Sequence, residues 1–299
     1  MRAIDWGAKH LSELITLEEE GVLEVSGVAD IAYERLQLPA LKTGKLTRNH
    51  EKLLGDSDAA IIATPPETHI DIALKWISEG KHLLVEKPVA TSYVDALKLM
   101  VRAIDNQVCV MPGHIYRFSR LVKEIRRVYE SGELGGSVKG VNMRFITPSA
   151  PKGDPYWDLL PHCLDVCHSI FDSLPSKKQG HGFFDGRCFS LLYEYNKPHM
   201  NPGFQVRIEV GFLPQKHRSI EILGDQKWLS TDVVATFQHY YITDPKTGAR
   251  TEHWVPPNNT LQDEIRAFVR NIEQKEVGNE YLQAAVDGIK LIESPILPI

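Results

Sequence analysis

The sequence predicts two domains: a doubly wound α/β domain whose first strand is short or missing, then an α+β domain built on a large, mainly antiparallel open sheet. Three observations lead there. Short apolar runs alternate with amphipathic helical patterns over the first third of the chain; those runs end in polar or turn residues; and from about residue 119 the pattern changes to long runs of period two. The expected domains are therefore 1–118 and 119–299.

VLEVSGVAD (22–30) is an apolar run ending in an acid, as a buried parallel strand would be. DAAIIAT (58–64) is a second, stopped by Pro65 and Pro66; HLLVEKP is a third, and QVCVMPG (107–113) a fourth. Between them, HIDIALKWISEG gathers Ile70, Ile72, Ala73, Trp76 and Ile77 on one stripe, and SYVDALKLMVRAID repeats the theme with Val94, Leu97 and Val101. This is the alternation of a Rossmann-type sheet, in which ligands bind beyond the carboxyl ends of the strands. Asp30, the Thr64-Pro65-Pro66 turn, Glu86 and Lys87 occupy that rim. The competing reading of Glu86 and Lys87 is a solvated strand end.

The second domain opens with a helix through LVKEIRRVYESG. VKGVNMRFIT, RCFSLLYEY, FQVRIEVGFLP, RSIEILGDQKWLSTD and HYYITD then read as strands of a sheet with one face covered by helices. Two further helices, TLQDEIRAFVRNIEQ and YLQAAVDGIKLIES, close the chain.

Composition narrows the functions. With 24% charged residues and a net charge of -5 there is no basic strip, which argues against nucleic acid as a partner. No apolar run approaches the roughly 20 residues of a membrane span, and MRAIDWGAKHL lacks a signal-peptide pattern, so a cytoplasmic location is expected. Cys109, Cys163, Cys167 and Cys188 are too few for a disulfide framework. Cys163 and Cys167 stand beside His162 and His168, but no second pair exists to complete a zinc site; buried thiols and no metal are expected.

ATPPETH, a helix of about a dozen residues and then GKHLLVEKPVA together resemble the Gfo/Idh/MocA family of glucose-fructose oxidoreductases and inositol dehydrogenases. The likeness continues through GHIYRFSR, ESGELGGSVKGVNMRF, WDLLPHCLD and IEILGDQKWLSTD. It implies NAD or NADP as cofactor, a secondary hydroxyl of a sugar or polyol as the reacting group, and a homodimer or homotetramer paired through the C-terminal sheet. Such chemistry needs a base and a donor for the developing oxygen charge. By resemblance these are the EKP lysine, Lys87, with the aspartate and histidine of D-x-x-x-H, Asp158 and His162. Residues four apart share one helical face; without the resemblance, the favoured reading is Asp158 as a helix cap and His162 as a packed core histidine.

The resemblance further implies Gly7, Asp30, Thr64, Pro65, Pro66, His69, Glu86 and Lys87 as cofactor neighbours, and a cis proline at Pro88. GHIYRF is closer to members that oxidise C3 of nucleotide-linked amino sugars than to the inositol branch. On that side His114, Arg117, Tyr156, Trp157 and Asp165 are candidate substrate contacts, with Tyr116 a further ring for stacking. Arg117 suits a phosphate or carboxylate, or an ion pair within the protein.

The amino terminus departs from the family. WGAKHL matches the end of a G-x-G-x-x-G fingerprint with Gly7 as its last glycine, but Arg2 and Ile4 stand where the first two belong. The expectations are weak cofactor binding and a seam between the strand at 22–30 and the strand at 58–64. Asp30, placed to bind the adenosine ribose, favours NAD. The alternative function is a non-catalytic homologue acting in assembly or sugar sensing.

Overall fold

The computed structural model describes residues 6–32, 44–148, 153–175, 177–195, 203–233, 238–277 and 280–297. The expectations for residues 1–5, with Arg2 and Ile4, lie outside them. In chain order the elements begin with α1 (Trp6–Glu19), β1 (Gly27–Ala29), β2 (Lys45–Thr47), β3 (Ala59–Ile62), α2 (His69–Ser78), β4 (His82–Glu86), α3 (Tyr93–Asp105) and β5 (Val110–Gly113). There follow α4 (Arg120–Ser131), β6 (Val138–Thr147), α5 (Pro155–Phe171), β7 (Lys177–Phe183), β8 (Cys188–Glu194), β9 (Gln205–Phe212) and β10 (His217–Gly224). The chain continues with β11 (Trp228–Asp232), β12 (His239–Thr243), β13 (Arg250–Trp254), α6 (Thr260–Glu273) and α7 (Glu280–Glu293).

Two compact units emerge: residues 1–115 with 259–286, and residues 116–258 with 287–299. The sequence expectation of 1–118 and 119–299 misses the return of α6 to the first unit. There its apolar face buries Leu261, Ile265 and Phe268, while Arg266 pairs with Glu20 of α1 and Asn259 donates to Glu13 at 2.8 Å.

In the first unit β3, β4 and β5 form a parallel sheet with β4 central, and Leu83, Leu84 and Val85 are wholly buried, as a strand covered on both faces requires. β1 and β2 pair in parallel as a separate ribbon. No ladder joins β1 to β3 among the described residues. Ser26 and Ser57 meet hydroxyl to hydroxyl at 2.6 Å just before those two strands. β1 is shorter than predicted because residues 22–26 serve the return from α1: the Val22 N–H donates to the Leu17 carbonyl at 2.9 Å and the Val25 N–H to Glu18 Oε1 at 2.8 Å. Gly27 lets the ribbon close, since a Cβ there would stand 2.5 Å from the Lys45 carbonyl oxygen.

α3 corrects the periodicity reading. Ser92 caps it, accepting from the Asp95 N–H at 3.1 Å. Its buried stripe is Ala96, Leu99 and Ala103, whereas Val94 is 72% exposed and Leu97 and Val101 also face outward.

The second unit carries an eight-stranded sheet in the order β13-β12-β11-β10-β6-β9-β8-β7, antiparallel except for the parallel β6-β9 pair. α4 and α5 cover one face, and the core between them gathers Leu121, Ile125, Phe145, Leu160, Ile208 and Ile222. The predicted sheet is present, and β7 and β13 extend it at both edges.

Candidate functional site

The rim of the first unit is built at the carboxyl ends of β3 and β4. Glu86 ends β4 with its carboxylate turned inward: His10 of α1 approaches Oε1 at 2.8 Å and the Lys87 N–H donates to Oε2 at 3.2 Å. Gly113 on β5 makes room, because a Cβ there would lie 3.2 Å from that carboxylate. Both partners of this contact are buried, so Glu86 ties α1 to the strand end. Lys87 follows, half-buried, and joins Pro88 through a cis peptide bond, as the resemblance implied.

His69 does not fit the expected cofactor contact. It is fully buried at the start of α2, with Nε2 2.8 Å from the Thr64 carbonyl oxygen and Nδ1 2.9 Å from that of Pro88. Thr64 and Pro65 are exposed on the same rim, and the Thr68 hydroxyl donates to the Pro65 carbonyl at 2.8 Å. Asp30 follows β1 and takes the Ala32 N–H on Oδ1 at 2.8 Å. α1 runs from Trp6 with Gly7 in a first turn free of acidic residues, and the amino end of a helix favours a phosphate. These residues fit a dinucleotide: a helix amino terminus for the pyrophosphate, an acid one strand away for a ribose, and a lysine at the rim. His114, buried just past β5, donates its backbone N–H to Pro112 at 2.9 Å.

The second unit holds the D-x-x-x-H pair on α5. Asp154 caps this helix, accepting from the Tyr156 N–H at 2.8 Å, which removes the capping role from Asp158. Asp158 is half-buried in the first turn and His162, one turn on, is buried. The His162 ring meets Tyr116 edge to face, centroids 5.2 Å apart at 83°. Arg218 donates to the Tyr116 hydroxyl and lies over the rings of Tyr116 and Phe145, 5.8 and 5.4 Å from their centroids. Burial pushes the Tyr116 phenol above its ordinary pKa, and the Arg218 guanidinium opposes that shift. Arg218 escaped the sequence reading, although the signal was there: it shares parity with Ile220 and Ile222 on β10, so it points with them toward the covered face.

Arg117 takes the protein-internal option. Its guanidinium pairs with the buried Asp165 carboxylate, Nε reaching Oδ1 at 3.0 Å, and also contacts His168 Nδ1 at 3.3 Å. Tyr156 is corrected from a stacking surface to a core residue. Its hydroxyl accepts from Lys178 Nζ at 2.6 Å and donates to the Ile292 carbonyl at 3.2 Å, and its ring packs on Phe189. Trp157 is half-buried against the same core.

All four thiols are buried, and burial raises Cys109 and Cys167 to about 12. Protonated thiols are poor ligands, and no cluster suited to a metal ion occurs among the described residues. Nor is any helix among them long and apolar enough to cross a membrane.

Parallel strands ending on one rim, a helix amino terminus at Gly7 and a lysine beyond β4 define the class, a dinucleotide-binding Rossmann domain. Residues 4–114 match the Gfo/Idh/MocA model, described as an oxidoreductase family with an NAD-binding Rossmann fold.

Among curated relatives, the 4-carboxy-2-hydroxymuconate-6-semialdehyde dehydrogenase of a Sphingobium species is 30% identical over 173 residues, 54% of each chain. The UDP-N-acetylglucosamine 3-dehydrogenase of Acidithiobacillus ferrooxidans is 26% identical over 164 residues, 54% of this chain and 51% of that one. The matched segment thus spans about half the length of these relatives. A crystal structure of a 3-ketoreductase from Actinomadura kijaniata with NADP and TDP-benzene superimposes with a TM-score of 0.81 at 17% identity, covering 95% of this chain and 93% of that one. At that identity the likeness concerns the fold.

Proposed function

We propose that the protein is an NAD(P)-dependent oxidoreductase that takes a hydride from a secondary hydroxyl of a sugar, C3 of a nucleotide-linked sugar being the favoured case. The observation that carries this reading is Lys87 at the carboxyl end of the central strand β4, on the rim where a Rossmann domain receives its dinucleotide. Support also comes from the names of similar proteins, a UDP-N-acetylglucosamine 3-dehydrogenase and a 3-ketoreductase.

In this reading the nicotinamide accepts the hydride. The remaining work falls to the chain. Lys87 donates to the reacting oxygen, His162 removes the hydroxyl proton, and Asp158, one turn earlier on α5, orients the imidazole or binds a neighbouring hydroxyl. Gly7 and the amino end of α1 receive the pyrophosphate, Asp30 the adenosine ribose, and Thr64, Pro65 and Pro66 border the cofactor along the rim. Asp30 favours NAD over NADP. Trp157 offers a ring for the substrate. The uncovered face of the sheet carries self-complementary charge, with Arg144 bonded to Glu209 at 2.6 Å and Asn142 to Glu221 at 3.3 Å, and pairing of two copies through it is part of the proposal.

Calorimetric titration with NAD and NADP, then a screen of nucleotide sugars for reduced nicotinamide at 340 nm, tests the reading. Lys87→Ala should lower turnover by roughly 100-fold or more while cofactor affinity stays within a few-fold. Cofactor binding absent at millimolar concentration, or turnover unaffected in Lys87→Ala, would favour the non-catalytic alternative.

A further inference from the structure

We propose that His69 is a positioning residue which fixes the Lys87–Pro88 turn by bridging the carbonyls that follow β3 and β4; this rests on the reading of Lys87 as the donor to the reacting oxygen.

β3 and β4 run in parallel with Ile62 opposite Val85, so the segments beyond them emerge side by side. Neither segment is bound to its neighbour by a ladder at that level, since the last paired residues are Ile62 and Val85. The His69 ring supplies the missing tie. Its two nitrogens lie 2.8 Å from the Thr64 oxygen and 2.9 Å from the Pro88 oxygen, and the residue is 0% exposed. Carbonyl oxygens only accept hydrogen bonds, and because Pro88 is buried its carbonyl relies on a donor within the protein. A ring protonated on one nitrogen can satisfy one of these carbonyls, whereas a ring protonated on both can satisfy the pair. A buried carbonyl left without a donor is costly. The link between the two turns therefore depends on what the side chain at position 69 can donate, while the Thr68 hydroxyl on the Pro65 carbonyl holds the first turn within itself.

What the tie positions follows from the sequence of the turn. Pro88 is the residue immediately after Lys87, and Val89 and Ala90 beyond it are buried. On the other side of Lys87, Glu86 is held by His10 and by the Lys87 N–H. Lys87 is thus fixed on both flanks, by Glu86 before it and by the His69 tie after it. Loss of either flank should leave the strand in place and free the lysine to wander. Displacements of this kind strongly affect a proton-donating group, because catalysis depends on a preorganised donor geometry.

The experiment compares full-length wild type with His69→Leu, which removes both ring donors, and His69→Gln, which restores amide N–H donors. Two readouts are taken: hydrogen–deuterium exchange of peptides covering 62–66 and 86–92, and kcat and KM for the sugar identified by the screen. The expected result is at least tenfold faster exchange in those two segments in His69→Leu with the rest of the first unit unchanged. A fall in kcat of at least tenfold should accompany it, with NAD affinity within threefold, and His69→Gln should recover part of both effects. Should His69→Leu fail to fold, His69→Phe, which likewise lacks ring donors, is measured in its place and must show the same localised exchange.

Exchange unchanged in both segments overturns the inference, whether or not any sugar is oxidised. A loss of NAD affinity larger than the loss in kcat overturns it as well, since the ring would then serve the cofactor directly. Localised exchange in a protein without turnover on any sugar would instead leave the tie standing and remove the oxidoreductase reading.

Discussion

Arg117 and Asp165 form a buried ion pair, Nε to Oδ1 at 3.0 Å, with side chains only 10% and 3% exposed. Two charges so far from water hold each other in place, and each is costly without the other. Asp165→Ala should destabilise the protein by about 3–5 kcal/mol in urea unfolding, whereas the double replacement Arg117→Met with Asp165→Leu should recover most of the loss. A sugar-binding role for the pair would appear instead as a raised KM with unchanged stability.

Tyr116→Phe removes the hydroxyl that accepts from Arg218 and leaves the ring against His162. A stability loss of about 1–3 kcal/mol is expected, since a guanidinium bond to a partly buried acceptor is being deleted. Tyr116→Leu also removes the ring edge, and in the proposed mechanism it should lower kcat about tenfold beyond the Phe variant. Paired thermal melts and turnover measurements separate the two effects.

Lys178 gives the fold a distinctive pH response. It is 3% exposed, with Nζ bonded to the Tyr156 hydroxyl and to the carbonyls of Leu291 and Ile292 at the end of α7. Burial lowers its pKa from 10.5 to about 8. Between these values the unfolded chain holds the proton that the folded chain has released, so this group's contribution to stability rises with pH from about 8 to 10.5. Relative to Lys178→Met, the wild type should gain on the order of 2–3 kcal/mol across that window. Chemical denaturation at pH 7, 8, 9 and 10 checks the slope; a flat difference would show that the ammonium stays charged in the fold.

Asp30→Ser removes the acid proposed to hold the adenosine ribose. NAD affinity should fall about tenfold, near 1.4 kcal/mol, and the NAD-to-NADP preference should narrow. Calorimetry with both cofactors reads this directly, and equal losses for the two would show that Asp30 merely closes the turn at Ala32.

Much of this architecture was legible in the sequence, and the failures have physical causes. HLLVE was recognisable because a strand buried on both faces must be continuously apolar. α3 misled because VDALKLMVRAI carries two stripes with the same period, and the helix buries the one with Ala96 and Ala103, leaving the larger Val94 and Val101 outside. β13, RTEHW, escaped because an edge strand need bury almost nothing. At the site, the residue types on the rim were readable but the partners of their polar atoms were not. That His69 would spend both nitrogens on backbone carbonyls, or that Tyr156 would meet Lys178, depends on contacts between residues distant in sequence.

The parallel pairing of β6 with β9 sets a condition on how the second unit is made. Gly140 pairs with Gln205, and Arg144 with Glu209, 65 positions later. β10 then closes on the other side of β6, with Met143 opposite Ile220. During synthesis β6 therefore emerges with neither sheet neighbour available, its apolar residues Val141, Met143 and Phe145 waiting through the whole α5-β7-β8 segment. Closing such a long loop before any reward is slow, and exposed strand edges favour association in the interval. The amphipathic α4 and then α5 are the first elements able to shield that face, so the order in which helices and strands leave the ribosome protects the sheet until its central pair can form.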